Sequence, residues 1–399
     1  MTDKTAMHRY DVAIIGAGSA GSLAAAMLGR AGYSTCLVDP LARANPEFRA
    51  EKLEHAHIEA LSEAGFLDQV AQAGRRYDTI WVARQGHLVE KRPSVEYGMD
   101  YAAMVDAMRD MVPDTVTFVN DKVVDAQLGE AGSSLVLGDN STIEARLVVA
   151  ATGLNASLLT ALGIGRRTAA KCHSISIGFD VKPVGRDRFD FDSLTYFGEH
   201  PRHRVAYFTI FPMPTRLRGN LFVYRDKGDP WLGRFREDPV TLLHECMPRL
   251  RRLTGEFEVL DMPKLRPVDL VNAVDYERPG LVLIGDAWST ADPVSGTGAS
   301  KAMVDAVRLC ADHVPGWLAA DSIPAARIAE FYANERKRAS DAHSRSVSLN
   351  ARRLALETGP AWTAYRWLRF AGSRGRGLMT DLFKPKPSDG GAARPQWQP

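Results

Sequence analysis

The segment YDVAIIGAGSAGSLAAAMLGRAGYSTCLVD, residues 10–39, decides the fold of this 399-residue chain. Its beginning is mostly apolar and β-branched, which is typical of a buried parallel strand. The alanine-rich stretch after the glycines favours a helix. A second apolar run, residues 35–38, predicts another buried strand that ends at Asp39. We therefore expect a strand, a glycine turn, a helix and a second strand, the beginning of a parallel α/β sheet.

Three glycines in the pattern Gly-x-Gly-x-x-Gly lie at this turn. Gly16 permits the tight turn, Gly18 lets a phosphate approach the backbone, and Gly21 lets the helix pack closely on the strand. The positive N-terminal end of the helix then faces the phosphates. Asp39 lies about 20 residues beyond the glycines, where an acid accepts hydrogen bonds from a ribose. The segment predicts a dinucleotide site, whereas a glycine turn without a ligand would leave the terminal acid unexplained.

The composition is that of an ordinary soluble protein, with 45% hydrophobic and 25% charged residues. The formal net charge of +2 gives no reason to expect a nucleic-acid partner. No apolar run is long enough to predict a transmembrane helix, and we expect a cytoplasmic protein. His55 and His57 fall on different faces of a predicted helix, so we predict no metal site. The four cysteines lack metal-ligand spacing and are expected to be reduced thiols: Cys36, Cys172, Cys246 and Cys310.

Residues 49–61 predict a helix because Leu53 and Ile58 belong to an apolar stripe. Arg49 and Lys52 would lie near its beginning, where a cation opposes the helix dipole. Their placement is more easily explained if they face an anion such as a pyrophosphate. A solvated basic face is the alternative interpretation.

Two further patterns predict how the chain leaves and rejoins the parallel sheet. Residues 143–150 begin with alternating polarity and end as a continuous apolar run, which predicts a strand that leaves a meander and enters the parallel sheet. Alternating strands dominate residues 165–275 and predict an antiparallel sheet. Within that region, Asp238 and Pro239 predict the N-terminus of a helix that extends to Leu253.

A second ligand-binding pattern begins where a buried strand ends at Gly285 and Asp286. Pro293, Gly296 and Gly298 follow in a loop that leads into a helix, whose N-terminus again faces a ligand. Asp286 can accept a hydrogen bond from a ribityl hydroxyl. The glycines let backbone N–H groups approach a flavin ring.

Together, these two motifs resemble those of the single-component FAD-dependent aromatic hydroxylases. That superfamily also contains flavin halogenases and geranylgeranyl-reductase-like enzymes. The resemblance covers about residues 8–345. The motifs that carry it are Gly16-x-Gly18-x-x-Gly21 and Gly285-Asp286…Pro293…Gly296-x-Gly298.

The resemblance implies FAD as the cofactor and assigns roles to several residues. Asp39 would bind the adenosine ribose, and Arg49 would lie near the pyrophosphate. Asp286 would bind the ribityl chain or the phosphates. Residues 293–298 would line the isoalloxazine ring, and the antiparallel sheet around 174–224 would cover the substrate cavity.

The expected architecture is α/β: a Rossmann-like FAD-binding domain with a mostly parallel sheet, interwoven with an antiparallel-sheet substrate domain and a C-terminal helical segment. We assign residues 8–164 and 276–320 to the FAD-binding domain and residues 165–275 to the substrate domain. Residues 321–383 are expected to form the C-terminal helices. The Pro/Gly-rich residues 384–399 are expected to be a disordered tail.

The sequence departs from the family's pattern in three places. The middle motif usually contains an acid and an arginine, but Thr152 stands in place of the acid and the arginine is absent. NAD(P)H is therefore expected as the reductant either directly or through a partner flavin reductase. Tyr101 stands where the family has an arginine, and Trp288 would put a large ring beside the flavin.

The reaction implied by the resemblance is hydroxylation or epoxidation of an apolar, aromatic or polycyclic small molecule by a flavin C4a-hydroperoxide formed with O₂. The protein must exclude water and orient the substrate, so few acid/base groups are needed. Ordinary sheet packing is the alternative for every candidate residue. The candidate substrate contacts are Tyr207, Phe211, Met213 and Tyr224. The candidate catalytic residues are Tyr207, His173 and Lys52, with His57 as a further candidate.

Three other functions stay open at this point. A flavin halogenase would need a lysine beside a tunnel, and Lys52 is a candidate, although the usual Trp-x-Trp-x-Ile-Pro stretch is absent. A flavin-dependent reductase or dehydrogenase of an isoprenoid-like substrate would use the same fold. Aromatic and basic residues in 360–378 suggest a membrane-peripheral flavoprotein on the inner face of the membrane. Packed terminal helices or a dimer contact are the alternative, and the protein is expected to be a monomer or a homodimer.

Overall fold

The computed structural model describes residues 9–382, and it describes side chains through residue 377. The strands are β1 (Arg9–Ile15), β2 (Thr35–Val38), β3 (Lys52–Leu53), β4 (Arg75–Arg84), β5 (His87–Gly98), β6 (Thr117–Val119), β7 (Val123–Gln127), β8 (Ser133–Leu137), β9 (Thr142–Ala150), β10 (Gly165–Pro183), β11 (Ser193–Phe197), β12 (Val205–Pro212), β13 (Leu217–Val223), β14 (Phe257–Val259), β15 (Lys264–Val274) and β16 (Leu281–Leu283). The helices are α1 (Ser19–Arg30), α2 (His55–Ala64), α3 (Leu67–Ala71), α4 (Tyr101–Arg109), α5 (Ser157–Ala161), α6 (Pro230–Glu237), α7 (Pro239–Cys246), α8 (Arg251–Thr254), α9 (Gly298–Arg308), α10 (Val314–Leu318), α11 (Ala325–Ala333), α12 (Glu335–Leu356) and α13 (Pro360–Leu382).

The first sheet has the strand order β6-β2-β1-β9-β8-β7, and β16 also pairs with β9. Strand β1 pairs in parallel with β2 and β9, so that Ile14 lies opposite Leu37 on one side and Val149 on the other. Helix α1 buries its alanine and leucine side chains in the core on one face of this sheet. The predicted strand, glycine turn, helix and strand are confirmed, and so is the α/β fold class.

Strand β9 changes partners along its length. Its first half is antiparallel to β8, with Ala145 opposite Ser133. Its second half is parallel to β16, with Val148 opposite Leu281. The first half alternates between buried and more exposed residues, whereas the last four residues are all buried. The predicted transition from a meander to the parallel sheet is therefore observed at this strand.

The second sheet has the order β14-β10-β13-β12-β11-β4-β5-β3, and β15 also pairs with β10. Its pairs are antiparallel except for β11 and β4, which are parallel. Because side chains alternate along a strand, Ile175 and Ile177 of β10 enter the core beneath α6 and α7, whereas Ser176 faces the other way. That polar-lined face looks toward the first sheet.

The division of the chain between the two sheets differs from the predicted one. Strands β3, β4 and β5 lie within residues 8–164, yet all three belong to the second sheet. Strand β4 pairs with β11, and Ile80 lies opposite Ser193. The apolar, β-branched residues of β4 and β5 are typical of strands, but the pairing partner of these strands is set by the tertiary structure.

Helix α2 begins later than the sequence predicts. Lys52–Leu53 form the short strand β3, which pairs with Tyr97 and Gly98, and the helix begins at His55. Arg49 and Lys52 therefore precede the helix and do not oppose its dipole from the first turn.

The helix predicted to extend from Pro239 to Leu253 ends at Cys246. Pro248 disfavours the helical conformation at the residue before it, and the chain resumes as the short helix α8. The predicted N-cap is confirmed, since the Asp238 carboxylate accepts a hydrogen bond from the Thr241 N–H at 3.1 Å.

The last two helices pack on the body of the protein. Helix α12 contacts α9 and β12, and α13 lies along β5. Gly377 lies so close to β5 that an added Cβ would overlap the Val89 carbonyl oxygen. Trp367 and Leu368 are 55% and 70% exposed, and the predicted membrane contact stays a prediction. Within residues 9–382, no helix combines the length and apolarity needed to cross a membrane. The predicted tail, 384–399, lies outside the described residues.

We expect Gly21→Ala to destabilise the protein because an added Cβ would overlap the backbone carbonyl oxygen of Gly16. Overpacking of this kind costs roughly 1–3 kcal/mol. The matched control is Gly233→Ala in α6, where no atom lies within 4 Å of the added carbon. The control should gain roughly 0.5–1 kcal/mol, since alanine is favoured over glycine in a helix. Thermal unfolding measures both variants, and equal midpoints would contradict the close approach of α1 to the turn.

Candidate active site

One cavity of about 740 Å³ lies between the two sheets. It begins at the carboxyl ends of β1, β9 and β16, passes the loop before α9 and ends against β12 and β13. Gly21 lies behind the turn, where α1 packs on Gly16. The cavity wall brings together most of the residues that the sequence predicted: Gly16, Gly18, Asp39, Arg49, Lys52, Tyr207, Gly285, Asp286, Pro293, Gly296 and Gly298.

Asp39, at the end of β2, fixes the backbone of the glycine turn by hydrogen bonds. Gly16 has a φ of 100°, a left-handed conformation that favours glycine. The Ala17 N–H donates to Asp39 Oδ2 at 2.7 Å, and the Leu41 N–H donates to Oδ1 at 2.9 Å. A Cβ added at Gly18 would have only the Tyr101 hydroxyl within 4 Å. The turn therefore leaves open space beside Gly18.

Arg109 also fixes this end of the cavity, and the sequence analysis did not single it out. Its Nε donates to the Ala17 carbonyl at 2.8 Å and its Nη1 donates to the Leu41 carbonyl at 2.7 Å. Its Nη2 lies 3.9 Å from Asp39 Oδ2. The sequence shows only a basic residue within the amphipathic stretch 101–111, which is equally typical of a surface position.

Arg49 lies in the middle of the cavity wall beside Asp286. Its Nη2 is 3.9 Å from Asp286 Oδ2, and its Nη1 is 3.5 Å from the Tyr101 hydroxyl. Glu47 lies 3.0 Å from its Nε. The guanidinium is largely buried, so its charge is poorly screened and can act strongly on an anion in the cavity.

Arg166 joins the loop after β9 to the turn after β16. It donates to the carbonyls of Gly153 and Leu154 at 2.9 and 3.0 Å and to the Asp286 carbonyl at 3.0 Å. Burial lowers its pKa, and the Asp286 carboxylate opposes that change. The sequence analysis missed Arg166 because its partners are backbone carbonyls distant in the chain, which leave no sequence pattern.

The loop that carries Pro293 is anchored by a buried acid. Asp292 accepts hydrogen bonds from the hydroxyls of Ser174 at 2.6 Å and Ser348 at 2.8 Å. His173 Nε2 lies 3.4 Å from the same carboxylate. These contacts connect the loop to β10 and α12, so the loop is held from behind while its glycines face the cavity.

Four of the predicted substrate or catalytic residues do not line the cavity. Phe211 and Met213 pack among residues of β4 and β5. His173 and Tyr224 lie behind the Asp292 loop, with their ring centroids 6.1 Å apart. Alternate residues of β12 share one face of the strand, but only the middle of that face lies in the cavity wall. The correction follows from the position of the first sheet, which the strand pattern does not contain.

Trp288 also lies elsewhere than predicted. Its ring packs against Tyr276 and Tyr332, with centroid distances of 4.3 and 4.5 Å. It is absent from the cavity wall, because the turn after Asp286 directs this side chain to the opposite face of the loop. The ring stabilises the packing of α11 against the first sheet.

A polar patch at the far end of the cavity was missed by the sequence analysis. Glu51 Oε2 accepts a hydrogen bond from the Asn220 amide at 3.1 Å, and Glu51 Oε1 lies 3.2 Å from Arg218 Nε. Ser176 and Thr209 complete the patch. Burial raises the pKa of Glu51 to about 7, although Arg218 and Asn220 act in the opposite direction. Glu51 is therefore poised to gain or lose a proton near neutral pH.

Lys52 and His57 also lie in the cavity wall, and both contact Glu54. Lys52 Nζ lies 2.8 Å from Glu54 and 3.6 Å from Glu96. Burial acts to lower the pKa of Lys52, but the two carboxylates raise it, so the ammonium is retained. Burial lowers the pKa of His57, whose Nδ1 accepts a hydrogen bond from the Glu54 N–H at 3.1 Å. His57 is therefore a neutral hydrogen-bonding group at neutral pH.

The residues of the cavity fit the FAD that the resemblance implies. The cavity volume of about 740 Å³ is within the roughly 300–1,000 Å³ typical of ligand sites. Buried polar atoms in native proteins are almost always hydrogen-bonded, so unpartnered ones indicate a ligand or water. Among the described residues, buried side-chain atoms without a partner occur along the cavity wall: His57 Nε2, Thr152 Oγ1, Arg166 Nε, Ser176 Oγ and Asn220 Oδ1.

The raised pKa of Glu51 predicts a pH dependence of stability. The unfolded chain ionises this carboxyl near 4.3, whereas the folded protein holds its proton up to about 7. Between these values the folded state binds more protons, so the contribution of Glu51 to stability falls as pH rises and is lost above about 7. Relative to Glu51→Gln, the wild type should lose up to about 3 kcal/mol across this window.

Denaturant unfolding of the wild type and Glu51→Gln at a series of pH values measures this difference. The matched control is Glu237→Gln at an exposed position of α6, which should follow the wild-type curve. Parallel pH curves for the wild type and Glu51→Gln would contradict the assignment of a raised pKa to Glu51.

Comparisons with known proteins agree with this geometry. The chain matches the family model described as FAD binding domain over residues 9–312. It is similar in structure to p-nitrophenol 4-monooxygenase PnpA from Pseudomonas putida DLL-E4, with 16% identity, 94% of this chain and 98% of that chain covered, and a TM-score of 0.73. It is also similar to the flavin-dependent brominase Bmp2, with 18% identity, coverage of 94% and 90%, and a TM-score of 0.65.

A third similar structure is OxyS anhydrotetracycline hydroxylase from Streptomyces rimosus, with 18% identity, coverage of 96% of this chain and 78% of that chain, and a TM-score of 0.64. No curated protein matches the chain. The structural likenesses establish the fold, and the family model covers more than half of the sequence. The chain therefore belongs to the FAD-binding domain family, and the protein is a FAD-dependent oxidoreductase with the fold of the FAD-dependent monooxygenases.

Proposed function

We propose that this protein is a monooxygenase that uses FAD and O₂ to hydroxylate or epoxidise an aromatic or polycyclic small molecule. One observation carries the proposal: a single cavity extends from the glycine turn, past the loop of Pro293, to an aromatic and polar wall on the second sheet. Such a cavity has room for a dinucleotide at one end and for a small molecule at the other.

The cofactor end supports a specific orientation of FAD. We propose that the pyrophosphate binds beside Gly18, with Asp39 at the adenosine ribose. Arg49 would attract the phosphates, and Asp286 would accept a hydrogen bond from the ribityl chain. The isoalloxazine would then lie along residues 293–298, whose backbone approaches the cavity.

The substrate end supports an aromatic substrate that also carries a hydrogen-bonding group. Tyr207 and Phe222 form an aromatic wall with their ring centroids 4.7 Å apart. Beside it, Ser176 and Asn220 offer unpartnered polar atoms. Two of the similar structures are named for reactions on aromatic substrates, p-nitrophenol and anhydrotetracycline, which supports the aromatic class alone.

When FAD is bound it supplies the oxygen-transfer chemistry, and the protein residues have simpler tasks. Glu51 is the proposed proton acceptor, since its pKa of about 7 lets its Oε atoms take a proton from a substrate hydroxyl. Tyr207 is not assigned that task. Its hydroxyl donates to the Val294 carbonyl at 2.8 Å, and burial, with the nearby carboxylates of Glu54 and Asp292, raises its pKa.

The altered middle motif affects how electrons can reach the flavin. Thr152 takes the place of the family's acid, and its hydroxyl faces the cavity without a partner among the described residues. We propose NAD(P)H as the electron source, delivered directly or through a partner flavin reductase.

The position of Lys52 supports a flavin halogenase as the alternative function. Lys52 lies in the cavity wall, as the resemblance requires of a halogenase lysine, and its ammonium is retained by Glu54 and Glu96. A halogenase would need bromide or chloride for product formation, whereas a monooxygenase would not. Halide dependence therefore separates the two functions.

We expect the FAD-loaded protein, supplied with NADPH or NADH and a panel of phenols, naphthols and anilines, to consume O₂ faster with a substrate than without one. Mass spectrometry with isotope-labelled O₂ should find one labelled oxygen atom in the product. A partner flavin reductase is added in a parallel reaction. Product formation without O₂ would contradict the proposal and favour a reductase, and product formation only with halide would favour a halogenase.

We expect Gly18→Val to leave the fold intact and to weaken FAD binding. Gly18 has a φ of −74°, which any residue adopts, so valine adds no backbone strain. Its side chain would occupy the space assigned to the pyrophosphate and lower the affinity by about 100-fold. Circular dichroism and FAD titration measure the two effects, with Gly233→Val as the matched control. Wild-type FAD affinity in Gly18→Val would refute the placement of the pyrophosphate.

A further inference from the structure

Lys337 of α12 is a fully buried cation that lies behind the turn of Gly285 and Asp286. Its Nζ lies 5.4 Å from the ring centroid of Trp288 and 5.1 Å from that of Phe331. The residue lies outside the segment 9–312 that matches the FAD-binding family model. A buried ammonium group is unfavourable unless it is paired, so its partners indicate why it is there.

Asp305 of α9 connects this ammonium group to the turn. Lys337 Nζ donates to Asp305 Oδ1 at 2.8 Å, and Asp305 Oδ2 accepts a hydrogen bond from the Gly285 N–H at 2.9 Å. Gly285 has a φ of 62°, in the left-handed region that favours glycine. The buried carboxylate therefore has one oxygen on the cation and the other on the backbone of the residue before Asp286.

A second link holds the same loop further along the chain. Lys301 Nζ donates to the Ser289 carbonyl at 3.0 Å and lies 3.1 Å from Asp341 Oδ1. Asp341 Oδ2 also lies 3.4 Å from Lys337 Nζ. Two lysines and two aspartates thus form a network between α9 and α12 that contacts the backbone at both ends of residues 285–289.

Stability alone does not explain the buried pair of Lys337 and Asp305. Replacing a buried ion pair by apolar residues of similar volume is often neutral or stabilising. An apolar pair could not, however, supply an acceptor for the Gly285 N–H. That hydrogen bond fixes the residue before Asp286, whose carboxylate lies 3.9 Å from Arg49 in the cavity wall. The pair therefore acts on the geometry of the cofactor site.

We propose that Lys337 is a positioning residue for FAD. Its ammonium group holds the Asp305 carboxylate, and that carboxylate fixes the turn in the conformation that presents Asp286 to the cofactor. Helix α12 is then part of the FAD site, although none of the described residues Glu335–Leu356 lies in the cavity wall. The inference rests on the placement of Asp286 at the cofactor in the proposed function, and it is independent of the reaction that the flavin carries out.

Lys337→Met tests the proposal because it removes the charge and leaves a side chain that packs well among aromatic rings. Asp305 then becomes a buried carboxylate without its cation, which favours rearrangement of the turn. FAD titration of the apoprotein, well below its unfolding temperature, should give an affinity about tenfold lower than that of the wild type. Amide hydrogen exchange of residues 283–289 should become faster in the apoprotein. Arg338→Met, at the exposed next position of α12, is the matched control and should behave as the wild type.

Two double variants separate positioning from stability. Asp305→Asn with Lys337→Met removes both charges but keeps an oxygen that accepts from the Gly285 N–H, so the FAD affinity should return to the wild-type value. Asp305→Leu with Lys337→Met removes both charges and the acceptor, so the affinity should stay about tenfold lower. Neither double variant leaves a buried charge unpaired, so both are expected to fold. They decide the proposal if Lys337→Met alone does not fold.

The proposal is overturned if folded Lys337→Met binds FAD as tightly as the wild type, because the pair would then serve stability alone. It is also overturned if the two double variants bind FAD equally, or if Arg338→Met weakens binding as much as Lys337→Met. These measurements need no turnover. A failure of O₂-dependent product formation would refute the proposed reaction and would leave the differences in FAD affinity measurable.

Discussion

The meeting of three parallel strands at one edge of the first sheet is the constraint on which the rest of the structure depends. Ile15, Ala150 and Leu283 lie side by side in register at the carboxyl ends of β1, β9 and β16. The loops that follow must therefore converge: the glycine turn, the altered middle motif and the Gly285 turn. In open α/β sheets, ligands bind at this edge because loops and helix N-termini converge there. The backbone geometry at this edge leaves little freedom, since α1 already touches the turn at Gly21.

The second sheet closes one side of the cavity that begins at this edge. It contributes the wall opposite the glycine turn, and the buried carboxylate of Asp292 ties the loop between the two parts to β10 and α12. A buried charge is tolerated only where several donors satisfy it, and here two hydroxyls and a backbone N–H do so. The same arrangement gives His173 a structural role beside Asp292 and Ser348.

Charge in the cavities is set by burial and by pairing. Glu51 is buried deeply enough that its pKa rises to about 7 even beside Arg218. Lys52 is buried as well but keeps its charge because two carboxylates compensate it.

The sequence by itself determined the features whose cause is local. The strand, glycine turn, helix and strand of residues 10–39 were predicted because steric demands on Gly16 and apolar periodicity act within a few residues. The antiparallel character of the second sheet was predicted for the same reason, since alternation is a property of each strand. The predicted glycine and acid positions of both motifs lie together in the structure because short motifs carry their own backbone geometry.

Only the tertiary structure decided which surfaces face one another. It assigned β4 and β5 to the second sheet, and it placed Phe211 outside the cavity although that residue shares a strand face with Tyr207. Arg166 acts on backbone carbonyls, which any residue can supply, so no sequence pattern could reveal it. The raised pKa of Glu51 likewise depends on burial by segments far apart in the chain, and burial of this kind is a property of the assembled fold.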